Sequence, residues 1–142
     1  MKLETKYLGE VEVQEQDIIT FNEGIPGFKE YRQYVILQVD ESVSIYYLQS
    51  VDTSELSFVI TNPFVFYPEY ELEIPQDVLE QLRIEKTEEV AIYTILTIKE
   101  TLKTATVNLL APLIINLSNR QAKQVVLINT EYETKHSLIG SA

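Results

Sequence analysis

Short runs rich in β-branched and aromatic residues recur along this chain, and turn signals separate them. The runs at 34–39 and 43–48 flank a short polar connection, as the two strands of a hairpin do. Another run at 56–60 ends at Asn62-Pro63, a typical turn signal. Only one segment has apolar residues at helical spacing. Many short strands with one small helix predict a mainly β fold, either an antiparallel barrel or a sandwich.

We expect strands at residues 17–21, 34–39, 43–48, 56–60, 69–74, 90–98, 104–110, 113–117 and 124–128. The run at 69–74 alternates strictly between acidic and apolar residues. A period of two predicts a half-buried strand, with Tyr70, Leu72 and Ile74 facing the core. Its outer face is an acidic stripe formed by Glu69, Glu71 and Glu73.

The single helix is expected at about residues 76–83. Pro75 and Asp77 suit its first turn, because proline lacks an N–H and a carboxylate favours the positive end of the helix dipole. Val78, Leu79 and Leu82 then lie on one side, which predicts a short amphipathic helix of two to three turns.

The length of 142 residues fits one domain, and neither a repeat nor a linker divides it. We therefore expect a single domain over residues 1–142. The polar tail from about residue 129 is expected to be partly mobile, unless Tyr132 and Leu138 anchor it.

Charge is distributed unevenly. Twenty of the 22 acidic residues lie in the first 100 positions, which carry a net charge of −13, whereas the last 42 residues carry +2. Such a field repels nucleic acid and anionic membranes, and it attracts a basic partner protein. The cluster of Glu85, Glu88 and Glu89 is interpreted as a solvated face. The chain begins without the apolar segment of a secretory signal, so we expect a cytoplasmic protein that binds neither nucleic acid nor membrane.

The residues that most enzymes and metal sites require are scarce. The chain has no cysteine, and His136 is its only histidine. A zinc or iron site needs several such ligands, and neither a phosphate loop nor a dinucleotide-binding fingerprint occurs, so we expect no metal and no cofactor. Carboxylates are plentiful, so their number alone leaves a catalytic acid/base pair open. A lone histidine six residues from the end is interpreted as a solvated side chain.

The densest aromatic patch spans residues 64–71. Extended as a strand, it directs Phe64 and Phe66 to one face and Val65 and Tyr67 to the other. Core packing explains one face, whereas tyrosines edged by carboxylates suit a protein-binding surface, because tyrosine is enriched at interface hot spots. The candidate partner-binding residues are Tyr67, Glu69, Tyr70, Glu71 and Glu73.

Five motifs in order along the chain resemble the bacterial flagellar assembly factor family FliW. The first two are Gly24-Ile25-Pro26-Gly27-Phe28 and Leu48-Gln49-Ser50. The third begins with Asn62-Pro63-Phe64 and extends to Glu71. The fourth runs from Thr106 to Pro112 and includes Asn108, and the fifth runs from Tyr132 to Leu138. The last motif has Lys135 and Ser137 where the family has arginine and proline. Gly24, Pro26, Gly27, Phe28, Asn62, Pro63, Asn108 and Pro112 are taken as the structural residues of these motifs.

The resemblance implies a non-enzymatic partner switch on a mostly antiparallel, barrel-like β domain. Members of the family bind flagellin, and they bind the RNA-binding translational regulator CsrA when flagellin is absent. CsrA represses flagellin synthesis, so its sequestration relieves that repression. The alternative is a β-barrel that binds flavin or another small ligand. The acidic surface disfavours this alternative, and so does the lack of a basic cluster that could bind phosphate.

Overall fold

Seven strands close into a barrel in the computed structural model, which describes residues 1–39 and 42–138. The strands are β1 Lys2–Glu4, β2 Glu10–Glu12, β3 Ile19–Phe21, β4 Gln33–Gln38, β5 Ile45–Ser50, β6 Ser57–Thr61, β7 Val90–Thr97, β8 Thr106–Val107, β9 Leu113–Asn116, β10 Gln121–Gln124 and β11 His136–Ser137. Two short α-helices, α1 Pro63–Phe66 and α2 Gln76–Gln81, lie between β6 and β7. Single-turn 3₁₀ helices span Glu15–Asp17, Thr87–Glu89 and Leu102–Thr104.

The barrel runs β3-β4-β5-β6-β7-β9-β10 and returns to β3. Strand β7 makes closure possible, because its first half pairs with β9 on one side while its second half pairs with β6 on the other. All neighbours are antiparallel except β10 and β3, which pair in parallel with Gln121 opposite Thr20. The expected antiparallel barrel-like fold is therefore confirmed, with one parallel contact where an early strand meets a late one.

Side chains fill the barrel interior. Phe21, Tyr34, Leu48, Leu113 and Ile115 are fully buried there and belong to one apolar cluster. Each side chain of this size contributes about 1.5–3 kcal/mol when it leaves water. The alternating pattern of the short strands supplies this core, since every second residue faces inward. Among the described residues, no helix is both long enough and apolar enough to cross a membrane.

Several local predictions are confirmed. The hairpin of β4 and β5 pairs Tyr34 with Ser50 and Gln38 with Tyr46, while residues 40 and 41 of its connection lie outside the described residues. Helix α2 occupies the expected position and buries Val78. The compact turn follows β3, with Gly24 N–H donating to the Phe21 carbonyl at 2.8 Å.

The extended arrangement considered for the aromatic patch is wrong at its start, because residues 63–66 form helix α1. Asn62 caps the helix, since its side-chain oxygen accepts from the Phe64 N–H at 3.0 Å. Pro63 occupies the first turn, where its missing N–H has no consequence. A cap followed by proline outweighs the β propensity of the aromatic residues. The chain thus has a second short helix that the apolar spacing did not reveal.

The strand expected at 69–74 is also wrong, although its alternation of exposed and buried residues is observed. The segment is irregular and pairs with no strand. The Tyr70 N–H donates to the Tyr67 carbonyl in a turn at 2.9 Å, and the Glu71 N–H donates to a side chain. The two edges of β7, the next strand of the barrel, are already occupied by β6 and β9, so this segment does not pair there.

Two other strands differ in extent from their predictions. Strand β8 covers only two residues of the expected 104–110, because Asn108 turns the chain by accepting from the N–H groups of Leu110 and Ala111. Strand β10 ends at Gln124 instead of beginning there. The Val125 N–H beyond it still donates to the Pro112 carbonyl, but Pro112 has no N–H to return a second bond.

The tail meets the condition for anchoring. Leu138 is buried, and its N–H donates to the Ala105 carbonyl at 3.0 Å. Strand β11 pairs with β8, His136 opposite Val107. The tail is thus anchored on β8 and the chain beside it through Leu138 and β11, whereas residues 139–142 lie outside the described residues.

Glycine is required at position 24 for two reasons. Its φ is +69°, and a Cβ there would lie 2.5 Å from the Lys29 Cα. Gly9 has nearly the same φ, +67°, but open space around it.

We predict that Gly9→Ala lowers the free energy of unfolding by about 1–2 kcal/mol, the cost of placing a residue with a Cβ in the left-handed backbone conformation. Gly24→Ala should lose about 1–3 kcal/mol more through the backbone clash. Urea denaturation of both variants tests this, and equal losses would contradict it.

Candidate functional site

The segment between the two helices carries all five predicted partner-binding residues. Glu69, Glu71 and Glu73 are exposed, so the acidic stripe exists although no strand forms it. Leu72 and Ile74 are half-buried and pack on the apolar clusters beneath. The carboxylates of the acidic stripe therefore project outward from a segment whose apolar residues hold it on the barrel.

Tyr70 is the anchor of this segment rather than an exposed contact. Its side chain is buried, and its hydroxyl donates to the Leu109 carbonyl at 2.8 Å. The ring contacts Phe64 and Tyr132, with centroids 5.6 Å and 4.7 Å away. Burial, followed by the nearby Tyr132 hydroxyl, raises the pKa of the Tyr70 hydroxyl, so it remains a neutral donor at neutral pH.

A cleft of about 520 Å³ opens beside this anchor. Its lining consists of Phe66, Tyr67, Pro68, Glu69, Tyr70 and Tyr132. Three of the five candidate residues therefore meet at one concave surface, while Glu71 and Glu73 continue the acidic stripe away from it. We call this surface, with the acidic stripe, the acidic cleft.

The tail supplies a wall of the acidic cleft that the sequence analysis did not assign to a site. The Tyr132 hydroxyl accepts from the Glu71 N–H at 2.9 Å, and the Tyr67 hydroxyl donates to the Ser137 carbonyl. These two bonds join the segment after α1 to residues more than 60 positions later. The terminal motif that begins at Tyr132 was the available signal, but nothing local linked it to Tyr67.

The interpretation of His136 as a solvated side chain is wrong. The residue is half-buried, and its Nε2 accepts from the Glu133 N–H at 2.8 Å. Its ring lies 5.9 Å from that of Tyr67 and 6.1 Å from that of Tyr132. His136 thus supports the aromatic wall of the acidic cleft from behind.

The carboxylates of the acidic stripe have no ion-pair partner among residues 1–39 and 42–138. The ion pairs found there join the N-terminal amine to Glu12 at 3.2 Å, Lys2 to Glu10 at 3.9 Å, and Lys123 to Glu23 at 2.6 Å. The carboxylates of Glu69, Glu71 and Glu73 are therefore available to pair with basic side chains of another protein. Their mutual repulsion is tolerable because each side chain is in water.

The cluster of Glu85, Glu88 and Glu89 is only partly the solvated face that was expected. The Glu89 carboxylate accepts from Ser118 Oγ at 2.7 Å and from the N–H groups of Glu85 and Lys86. The Ser118 hydrogen bond, with the two backbone bonds, lowers the pKa of Glu89. Glu89 is thus a structural acceptor that fixes the entry to β7, while Glu85 and Glu88 are exposed.

The structural residues of the five ordered motifs stabilise the fold. Phe28 packs edge-on against Phe58 at 5.4 Å, and the Pro112 carbonyl accepts from the Val125 N–H at 2.9 Å. Asn108 and the Asn62-Pro63 pair end or begin elements, as described above. In the described part of the chain, no group of three or more His, Asp and Glu residues is arranged to hold a metal ion.

Comparison with known proteins gives one consistent match. The family model described as FliW protein matches residues 2–138. The flagellar assembly factor FliW of Geobacillus sp. (strain WCH70) is 47% identical over 97% of this chain and 95% of its own. That of Bacillus subtilis (strain 168) is 42% identical over 100% and 99%. A crystal structure of the flagellar assembly factor FliW superposes with a TM-score of 0.91 at 45% identity, covering 99% of this chain and 98% of the other.

The two hydroxyls that brace the acidic cleft should differ in their importance for stability. Tyr70→Phe leaves the buried Leu109 carbonyl without a partner, so we expect a loss of about 1–3 kcal/mol in the free energy of unfolding. Tyr132→Phe frees an exposed N–H that water satisfies, and should lose less than about 1 kcal/mol. Denaturation curves of the two variants check this difference. A Tyr70→Phe protein as stable as wild type would show that the hydroxyl does not anchor the segment.

Proposed function

Because this chain belongs to the FliW family of flagellar assembly factors, we propose that it is a non-enzymatic, protein-binding regulator of flagellum assembly. A role in flagellum assembly follows from the family itself. We further propose which two proteins it binds. The protein binds flagellin in the cytoplasm, and when free of flagellin it binds and antagonises the RNA-binding translational regulator CsrA.

The proposed switch depends on flagellin concentration. Abundant flagellin occupies the protein and leaves CsrA free to repress flagellin synthesis. Export of flagellin frees the protein, which sequesters CsrA again and relieves the repression. Such exchange requires only that the two partners bind at overlapping or negatively coupled sites, and the coupling is equal in both directions.

The observation that best supports a basic partner is the acidic cleft with its unpaired carboxylates. A regulator that binds RNA must present positive surface to phosphates. Three exposed carboxylates beside tyrosine rings would attract that surface and accelerate the encounter. The carboxylates of Asp77 and Glu80, on the neighbouring helix α2, are also exposed and add to the same field. We assign Tyr67, Glu69, Glu71 and Glu73 to the contact surface, with Tyr70 holding it in place.

The small-ligand or flavin-binding barrel gains no support from the geometry. A ligand-holding barrel needs interior space, and here Phe21, Tyr34 and Leu48 fill the interior. The acidic cleft is edged by carboxylates, which repel the phosphate groups of a flavin nucleotide. These features favour a protein partner over a cofactor.

Competition between the two partners tests the proposed switch. Flagellin titrated into a preformed complex with CsrA should displace CsrA, which gel filtration or a labelled-CsrA anisotropy assay would detect. An unrelated acidic protein at the same concentration is the control and should displace nothing. A stable complex containing all three proteins at saturating flagellin would contradict the proposal.

The acidic stripe should act mainly on the rate of association with CsrA. Glu71→Lys combined with Glu73→Lys should slow association by about tenfold at low salt and by less at about 0.15 M salt, where the screening length is about 8 Å. Folding should change by less than about 0.5 kcal/mol, since both positions are exposed. Stopped-flow binding at two salt concentrations measures the effect.

The matched control is Glu15→Lys combined with Glu55→Lys, which changes the net charge equally at exposed positions outside the acidic cleft. This control should retain most of the wild-type rate. If both double variants slow association equally, the net charge and not the acidic stripe guides the partner. If the stripe variant binds at the wild-type rate in both salts, the stripe is only a solvated face.

A further inference from the structure

The chain beyond β10 continues as an extended segment with hydrogen bonds on only one side. The Val125 N–H donates to the Pro112 carbonyl and the Leu127 N–H donates to the Leu110 carbonyl, both at 2.9 Å. These bonds continue the register of β10 with β9. The left-handed φ of +54° at Asn129 then turns the chain. Residues 124–127 therefore continue the barrel wall beyond the regular strand, and the chain bends at Ile128. We call residues 124–128 the open edge.

Among the described residues, no strand pairs with the other side of the open edge. Strand β3 pairs with β10 only at Gln121 and Ala122, and the chain then turns away at Gly24. In extended backbone, successive residues direct their N–H and C=O groups to opposite sides. The groups of Val126 and Ile128 thus point away from Pro112 and Leu110. Within residues 1–39 and 42–138, neither residue's main chain makes a hydrogen bond.

The side chains of the open edge match this geometry. Val126 is 62% exposed and Ile128 is 77% exposed, the two highest values among large apolar residues in the described part of the chain. They alternate with Val125 and Leu127, which are buried. Two β-branched side chains and unpaired main-chain groups are therefore presented together on one short edge.

Proteins normally protect such edges with charges, proline or a covering loop. Residues 124–130 contain no charged residue and no proline. The adjacent charge, on Lys123, is held by Glu23 at 2.6 Å. The open edge thus lacks the residues that normally prevent pairing with another strand, and its composition is that of a paired strand.

We propose that the open edge is a docking site for an extended segment of a partner protein, which adds as a strand beside Val126 and Ile128 where β3 has turned away. Main-chain hydrogen bonds would supply affinity, and apolar side chains at alternate positions of the segment would cover the two exposed residues. This site is uncharged and uses the main chain, so it differs in chemistry from the acidic cleft and does not depend on the proposed function.

A second copy of this chain is a poorer occupant. Each copy carries a net charge of −11, so two copies repel each other. A stable dimer also needs about 800 Å² of buried surface on each partner, which a five-residue edge with two exposed apolar side chains does not provide. An extended segment needs no such area, because main-chain hydrogen bonds along the open edge would supply its affinity.

The test uses the full chain labelled with ¹⁵N and a short peptide of alternating valine and threonine with a lysine at each end. We expect the peptide to shift and protect the amides of Val126 and Ile128. Val126→Pro removes an N–H that makes no internal bond, and should weaken peptide binding by about tenfold or more. Ile128→Lys, which adds a charge without altering the main chain, should weaken it as well.

Leu117→Lys is the matched control, since Leu117 is an exposed apolar residue outside the open edge, and it should bind as wild type does. Failure of the peptide to bind folded wild-type protein at about 1 mM would overturn the proposal. Shifts confined to other residues, or unchanged binding by Ile128→Lys and by folded Val126→Pro, would overturn it too. Self-association that Val126→Pro or Ile128→Lys abolishes would assign the open edge to a second copy instead.

Discussion

The structure depends on strand β7 being long enough to serve two neighbours along one edge. Its residues Val90–Tyr93 pair with β9 and Leu96–Thr97 pair with β8, while β6 occupies the opposite edge. The first pairing closes the barrel, and the second carries β8 and β11 away from it as a short extension. Closure satisfies backbone groups that an open sheet would leave exposed, and it encloses the main apolar cluster.

Closure also determines where the acidic cleft lies. The segment between α1 and α2 has the alternating pattern of a strand but lies outside the closed ring. It therefore crosses the apolar cluster that β8 and the tail build around Leu109, and Tyr70 fixes it there by donating to the Leu109 carbonyl. Tyr132 then braces the same segment from the other side. A segment held by side chains keeps its carboxylates in water, which suits recognition of a charged partner.

The two proposed binding surfaces would act through different forces. Binding at the acidic cleft would depend on charge, so its contribution to association would fall as salt rises. Binding at the open edge would depend on directional main-chain bonds and apolar contact, which salt screens little. Both features arise at the limits of the regular sheet: one where a segment could not join it, the other where β3 ends before its neighbour does.

Local signals in the sequence were sufficient for strands β3 to β7 and β9, for helix α2, for the hairpin of β4 and β5 and for the acidic stripe, because these depend on the alternation and turn chemistry of neighbouring residues. The ordered motifs likewise indicated the family. The tertiary structure determined the features that depend on contacts between residues distant in the sequence. It made 69–74 an unpaired segment because β9 had taken the edge of β7, and it joined Tyr132 and His136 to Tyr67 across more than 60 residues. It also shortened β10 because Pro112 opposite cannot donate, and it left Val126 and Ile128 exposed because β3 turns away. No pattern within one segment reports the position of another, so these features could be read only from the folded chain.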